Sequence, residues 1–186
     1  MSTTTNFTHE VSTDITKSFM SFKLGEEQFA ISVMNILEIL EIPGITKVPK
    51  APSFLKGVVN LRGNVLPVID ARIKFGMEPT AMTIDSCIIV LNIDIDDELV
   101  MVGALVDSVQ EVFELNEEEI KPSPTIGSKY KAEFIHGMIK VDEHFLMLLN
   151  IGKVFSADDL ETIISTQTEI LDTDTKNSKS TSKNKK

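Results

Sequence analysis

The chain has 186 residues, with 18 Lys and Arg against 28 Asp and Glu for a net charge of -10; 42% of it is hydrophobic and it holds one Cys and no Trp. That apolar share can bury the core of one ordinary domain or of two small fused ones, which excludes a wholly disordered chain. The longest apolar stretches, at 99–106, 87–91 and 145–149, fall far short of the roughly 18 residues that a membrane-spanning helix needs, so no direct membrane insertion is expected.

Residues 1–18 are half Ser and Thr, without a basic cluster followed by an apolar block, and are read as a flexible N-terminal arm rather than a secretory signal. A lone Cys87 agrees with a reducing, cytoplasmic location. At the far end, residues 173–186 hold five Lys and one acid, a local charge of +4 that leaves -14 on the rest. An acidic body repels phosphate backbones, so no nucleic-acid partner is expected. Residues 166–186 are read as a disordered Lys-rich tail, of which 173–186 has nothing apolar to bury, and this places the folded body at 19–165.

Along the body, strands are expected at 19–24, 28–31, 58–61, 65–69, 87–95, 99–105, 134–141 and 145–149. Turns at Gly25-Glu26-Glu27, Gly63-Asn64, Asp96-Asp97 and Asp142-Glu143 would join them as hairpins. Helices should be short. Ser32 can cap a turn or two in which Val33, Ile36, Leu37 and Leu40 share a face, Pro52 to Gly57 spans another turn, and Asn116 with Glu119 and Ser156 with Asp159 have capping-box spacing. No strand is followed by a long helix, so a mostly antiparallel barrel or sandwich is expected.

An internal repeat organises this pattern. Residues 57–70, from Gly57-Val58-Val59 to Val68-Ile69-Asp70, can be laid over residues 137–150, from Gly137-Met138-Ile139 to Leu148-Leu149-Asn150, at a constant offset of 80. Upstream, Val33-x-x-Ile36-x-Glu38-Ile39 resembles Val106-x-x-Val109-x-Glu111-Val112 at an offset of 73. Two related units, roughly 19–85 and 86–165, are implied, each a barrel of some five strands and both fused over a shared apolar seam.

Catalytic constellations fail one at a time. The chain has no nucleophile elbow, phosphate loop or dinucleotide fingerprint. His136 and His144 flank one hairpin, but a turn centred on Asp142-Glu143 sets them roughly 16 Å apart along the strand. Asp94, Asp96 and Glu98 begin like a calcium loop, yet Leu99 stands where Gly is needed and Leu105 where Glu is needed. Cys87, among Ile88, Ile89 and Val90, reads as a packed thiol. No cofactor and no metal are expected, and a small enzyme built on His136, His144 and Cys87 is the outlying alternative. What is left is Arg62 at a hairpin tip, Glu38 interrupting an apolar run, and more Met and β-branched residues than two small barrels can bury. Either these form a protein-docking surface or they are a salt bridge on an ordinary core.

The residues Phe22-x-Leu24-Gly25-x-Glu27-x-Phe29-x-Ile31, Glu38-Ile39, Pro49-x-x-Pro52-x-Phe54-x-Lys56-Gly57-Val58-x-Asn60-Leu61-Arg62-Gly63, Pro67-Val68-Ile69-Asp70-x-Arg72, Val106-Asp107-x-Val109, Ile120-Lys121-Pro122-x-Pro124 and Leu149-Asn150-Ile151 resemble the bacterial chemotaxis coupling proteins of the CheW family. The likeness runs from about Phe19 to Phe155. It implies a mainly β fold of two intertwined five-stranded, SH3-like barrels with short connecting helices, and a non-catalytic adaptor between the cytoplasmic tips of chemoreceptors and the regulatory domain of the histidine kinase CheA. Self-association within array rings is implied as well, and a coupling protein of a twitching or gliding pathway is the alternative within the family. By motif, Ile36, Glu38, Gly57 and Arg62 match kinase or receptor contacts; Cys87, Ile88, Val109 and Val112 match a receptor-facing groove; Lys121 and Ile126 match a second, ring-closing contact. The acidic stretch 94–98, the polar N-terminal arm and the Lys-rich tail depart from the family pattern.

Overall fold

A computed structural model describes residues 16–79, 82–95, 98–122, 132–141, 143–155, 158–159, 161–165 and 168. Its strands are β1 (Thr16–Leu24), β2 (Glu27–Ser32), β3 (Ile36–Glu41), β4 (Leu55–Leu61), β5 (Asn64–Asp70), β6 (Cys87–Ile95), β7 (Glu98–Val106), β8 (Ser108–Asn116), β9 (Ile135–Val141) and β10 (His144–Leu149). Two one-turn helices, α1 (Ala71–Lys74) and α2 (Ile151–Val154), follow β5 and β10. The strands make two five-stranded sheets, the first in the order β8-β1-β2-β10-β9 and the second in the order β3-β6-β7-β5-β4.

The two sheets are copies of one plan. Each is built around a hairpin, β1–β2 or β6–β7, joined on one side by a second hairpin and on the other by a single strand. The parallel pair Leu148↔Ala30 in the first sheet corresponds to Val68↔Gly103 in the second, in keeping with the offsets of 80 and 73. Each repeat contributes its first two strands to one sheet and its last three to the other, so β3, β4 and β5 leave the first sheet and complete the second. The sheets therefore interleave along the chain, each drawing strands from both of the units at 19–85 and 86–165.

Both sheets curl toward closure. After β3 the chain returns past β4, where Thr46 and Val58 exchange two backbone hydrogen bonds of 2.8 Å. Lys121 and Met138 do the same beside β9, at 2.9 and 2.8 Å. A glycine lies next to each bridge because the strands approach too closely for a Cβ. At Gly57, which also has φ +150, an added Cβ would sit 2.3 Å from the Thr46 carbonyl oxygen; at Gly137 it would sit 2.4 Å from Ile120.

Burial follows from this plan. The first sheet encloses Phe19, Ala30, Leu115, Ile139, Leu146 and Leu148, and the second encloses Val59, Leu66, Val68, Ile88, Val90 and Leu105. A larger cluster between them includes Phe22, Phe29, Ile31, Ile69, Phe75, Ile89, Leu91, Ile93 and Phe155. Along β6, Ile88 and Val90 face the sheet's own interior while Ile89, Leu91 and Ile93 face the shared seam. This two-sided burial is why the run is continuously apolar instead of alternating.

Several expectations change. The turn after Ser32 is a single 3-10 turn, Val33–Asn35, and residues 36–41 form β3 instead of extending a helix. Pairing with β6, Ile39 opposite Ile89 and Leu40 opposite Ile88, overrides the helical spacing of the apolar residues. Its repeat counterpart β8 was likewise not among the expected strands. β1 starts at Thr16, inside the stretch read as an arm, because Thr16 to Ser18 pair with Glu114 to Asn116. The β4–β5 turn is centred on Arg62-Gly63, one residue earlier than expected, since Leu61 pairs with Asn64. Leu55 donates to the Pro52 carbonyl, as a turn there requires, but β4 has begun before Gly57. One strand pair in each sheet is parallel, β2 with β10 and β5 with β7. His144 pairs with Val141 as expected. The Ser156 cap, the arm before residue 16 and the tail beyond residue 168 lie outside the described residues.

Candidate functional site

Backbone chemistry aims Arg62. Two residues join β4 to β5, and both have positive φ, +52 at Arg62 and +89 at Gly63, the signature of the tight turn that matches strand twist. The Gly63 N–H donates to Asn60 Oδ1 at 2.9 Å, which holds the turn. From this tip Arg62 Nη2 donates to Glu38 Oε2 at 2.8 Å. The two side chains differ in exposure, 78% for Arg62 and 25% for Glu38, so the carboxylate is seated and the guanidinium is open to a partner.

Glu38 comes from β3, an edge strand whose burial alternates. Ile36, Glu38 and Leu40 are half-buried, whereas Leu37 and Ile39 are 51% and 46% exposed on the other face. Ile36 and Glu38 are among the expected contacts, and Leu37 and Ile39 are not. Read with period 2 from the start, the segment would have put both on an outward face. Exposed apolar residues flanking an oriented ion pair are the composition of a docking surface with a charged rim.

The remaining expected residues divide by burial. Cys87 and Val109 are half-buried at the margin of the shared seam, and the Cys87 thiol meets the Val109 backbone. Burial pushes the Cys87 thiol pKa up, outweighing that hydrogen bond, so the sulfur stays protonated at neutral pH. Val112, on β8, is 62% exposed. Among the expected contacts, Ile88 is fully buried inside the second sheet, and Gly57 is buried beneath Thr46 with no side chain to offer. Lys121 is exposed at the rim of a cavity of about 570 Å³ in the first sheet, whose walls include Phe113, Leu115, Ile139 and Leu146. Ile126 lies outside the described residues.

The structure does not assemble the enzyme alternative. His136 and His144 are exposed on adjacent strands, with His144 opposite Val141 and His136 near the far end of β9. Cys87 is on the other sheet. Of the acidic stretch, Asp94 pairs with Leu99 and Glu98 with Ile95 at the ends of β6 and β7, and Asp96 and Asp97 lie outside the described residues. Among the described residues no group of three His, Cys, Asp or Glu could hold a metal ion, and no helix is long and apolar enough to cross a membrane.

Comparison with known proteins agrees with this architecture. The CheW-like domain family matches residues 18–159. The chemotaxis protein CheW of Klebsiella aerogenes is 33% identical over 144 residues, covering 77% of this chain and 84% of that protein. The probable chemotaxis protein CheW of Rhizobium etli is 32% identical over 145 residues, covering 78% and 91%. Among solved structures, the scaffolding protein TtCheW from Thermoanaerobacter tengcongensis superposes with a TM-score of 0.69 at 29% identity, covering 81% of this chain and 95% of that one. With two five-stranded sheets in common plan and the match spanning most of the folded residues, the chain belongs to the CheW-like domain family.

Proposed function

We propose that this protein is a non-catalytic adaptor of chemotaxis signalling that holds the cytoplasmic tips of chemoreceptors and the regulatory domain of the histidine kinase CheA in one geometry, in the cytoplasm against membrane-bound receptor arrays. The observation that carries this reading is the Glu38–Arg62 pair set beside exposed Leu37 and Ile39 on a CheW-like fold. A seated carboxylate that orients an open guanidinium gives direction, and the apolar flank gives area. Cys87, Val109 and Val112 line the receptor-facing side in this reading, and Lys121 belongs to a separate, ring-closing contact. The output is kinase activity changed by contact alone, so the adaptor acts through differential affinities for the partners' states.

The test is reconstitution from purified receptor signalling fragments, kinase and this protein, with co-sedimentation and kinase autophosphorylation as readouts. The expected result is a ternary complex in which the kinase responds to receptor state only when this protein is present. A protein that binds neither partner overturns the reading.

A further inference from the structure

The seam between the two sheets is apolar, and apolar contact is non-directional, so burial alone leaves their relative rotation loosely specified. Two polar contacts break this pattern: Lys74 of α1 pairs with Asp159, which follows α2, and Asp107 ties the two sheets together directly. Asp107 lies in the connection from β7 of the second sheet to β8 of the first. Its Oδ1 accepts from Arg72 Nε at 2.6 Å, and its Oδ2 accepts both from Arg72 Nη2 and, at 2.6 Å, from the Gly25 backbone N–H. Its own N–H donates to the Lys23 carbonyl at 3.1 Å. Arg72 belongs to α1, directly after β5 of the second sheet, and Lys23 and Gly25 belong to the tip of the first sheet's central hairpin. Gly25 has φ +63, the left-handed conformation that favours glycine at this hairpin tip.

The aim of Arg72 is itself prepared. Asp70, 5% exposed, caps α1 by accepting from the Ile73 N–H at 3.3 Å, and its backbone N–H donates to the Phe54 carbonyl at 2.8 Å. Both side chains of the bidentate pair are partly shielded, and a planar fork on a carboxylate fixes angle as well as distance. The ion pairs Lys17–Glu117, Lys56–Asp70 and Glu38–Arg62, by contrast, each stay within one sheet, and Lys74–Asp159 joins α1 to the segment after α2 through an ammonium contact that lacks the fork's angular preference.

The internal repeat supplies a control within the molecule. At the offset of 73 the counterpart of Asp107 is Met34, which is 90% exposed, and at the offset of 80 the counterpart of Arg72 is Gly152. One crossover between the sheets carries this carboxylate–guanidinium clamp, and the counterpart positions in its copy, Met34 and Gly152, have no groups to form it.

We propose that Arg72 and Asp107 are positioning residues that set the angle between the two sheets, and that this angle, not the strength of either partner contact, is what the adaptor contributes to coupling. The proposal rests on the adaptor reading for its functional half only. The geometric half is tested on the protein alone, by spin labels at Lys140→Cys in the first sheet and Asp94→Cys in the second, in a Cys87→Ala background of the full chain. Asp107→Asn and Arg72→Lys, which keep size or charge while breaking the fork, should broaden the inter-label distance distribution in the folded population. A merely structural ion pair would lower the melting temperature and leave that distribution narrow. In the reconstituted assay the same variants should bind receptor fragment and kinase regulatory domain as wild type does, while receptor control of the kinase falls at least about fivefold. An unchanged distance distribution overturns the proposal, as does intact receptor control with a broadened one. Failure of the unmutated protein to bind either partner overturns the adaptor reading and leaves the distance measurement to decide the clamp.

Discussion

Arg62 meets Glu38 at 2.8 Å although the two start from opposite edges of one sheet, Glu38 on β3 and Arg62 at the tip of the β4–β5 hairpin. Laid flat, the edges of five strands would be separated by about 19 Å. The pair therefore exists only because the second sheet rolls up, and it joins the Thr46–Val58 bridge in closing the roll.

Arg62 sits in the left-handed region, where a side chain costs roughly 1–2 kcal/mol relative to glycine. Its exposed ion pair returns about 1 kcal/mol at most. Arg62→Gly should therefore leave the melting temperature within about 4 °C of wild type. Binding to receptor or kinase should nonetheless fall. Thermal denaturation beside a pull-down checks both halves; a large loss of stability would show that the pair is structural.

Gly57→Ala should destabilise the fold by about 1–3 kcal/mol, because the new methyl meets a backbone oxygen that cannot step aside. Gly137→Ala, beside the equivalent bridge of the first sheet, should behave alike. Urea unfolding gives the values, and partner binding per folded molecule should be unaffected in either variant.

Charge reversal at Lys121 acts on side chain alone, since its backbone makes the bridge to Met138. Lys121→Glu should preserve stability and receptor binding and weaken the ring-closing contact with kinase domains. Separate titrations with receptor fragment and with kinase regulatory domain decide it; loss of receptor binding first would place Lys121 on the wrong surface.

Burial raises the Cys87 pKa in the folded state above its unfolded value. The neutral thiol is thus favoured on folding, a contribution fully present below the unfolded pKa of about 8.5 and lost as pH rises through the folded value. Stability should decline in that alkaline window, and Cys87→Ala should flatten the decline. Alkylation by iodoacetamide at neutral pH should be slower in the native than in the urea-unfolded protein. A fast-reacting native thiol would reopen the enzyme alternative.

Most strands were legible because hairpins declare themselves through turn residues and apolar runs. β3 and β8 were not, and they are the same strand in two copies. Each leaves its own repeat to lie at the edge of the other sheet, so its apolar residues answer to neighbours far away in sequence, and in Ile36-Leu37-Glu38-Ile39-Leu40 the result mimics helical spacing. The exchange itself has no local signature. Glu38 and Arg62 were both legible as residues out of place, one interrupting an apolar run and one at a tip, but their contact depends on the roll of the sheet. Ile88 and Gly57 are legible as motif positions, but that both are buried shows only in the packed structure.

The exchange of strands between repeats also governs how the chain can be made. β1 finds β8 across some ninety residues, with Met20 opposite Val112, and β2 waits for β10, with Phe29 beside Met147. A nascent chain that has emerged only through β7 holds every strand of the second sheet but just one hairpin of the first. Folding during synthesis should then begin in the middle of the sequence, with the amino-terminal hairpin left bare on both edges until the last strands arrive.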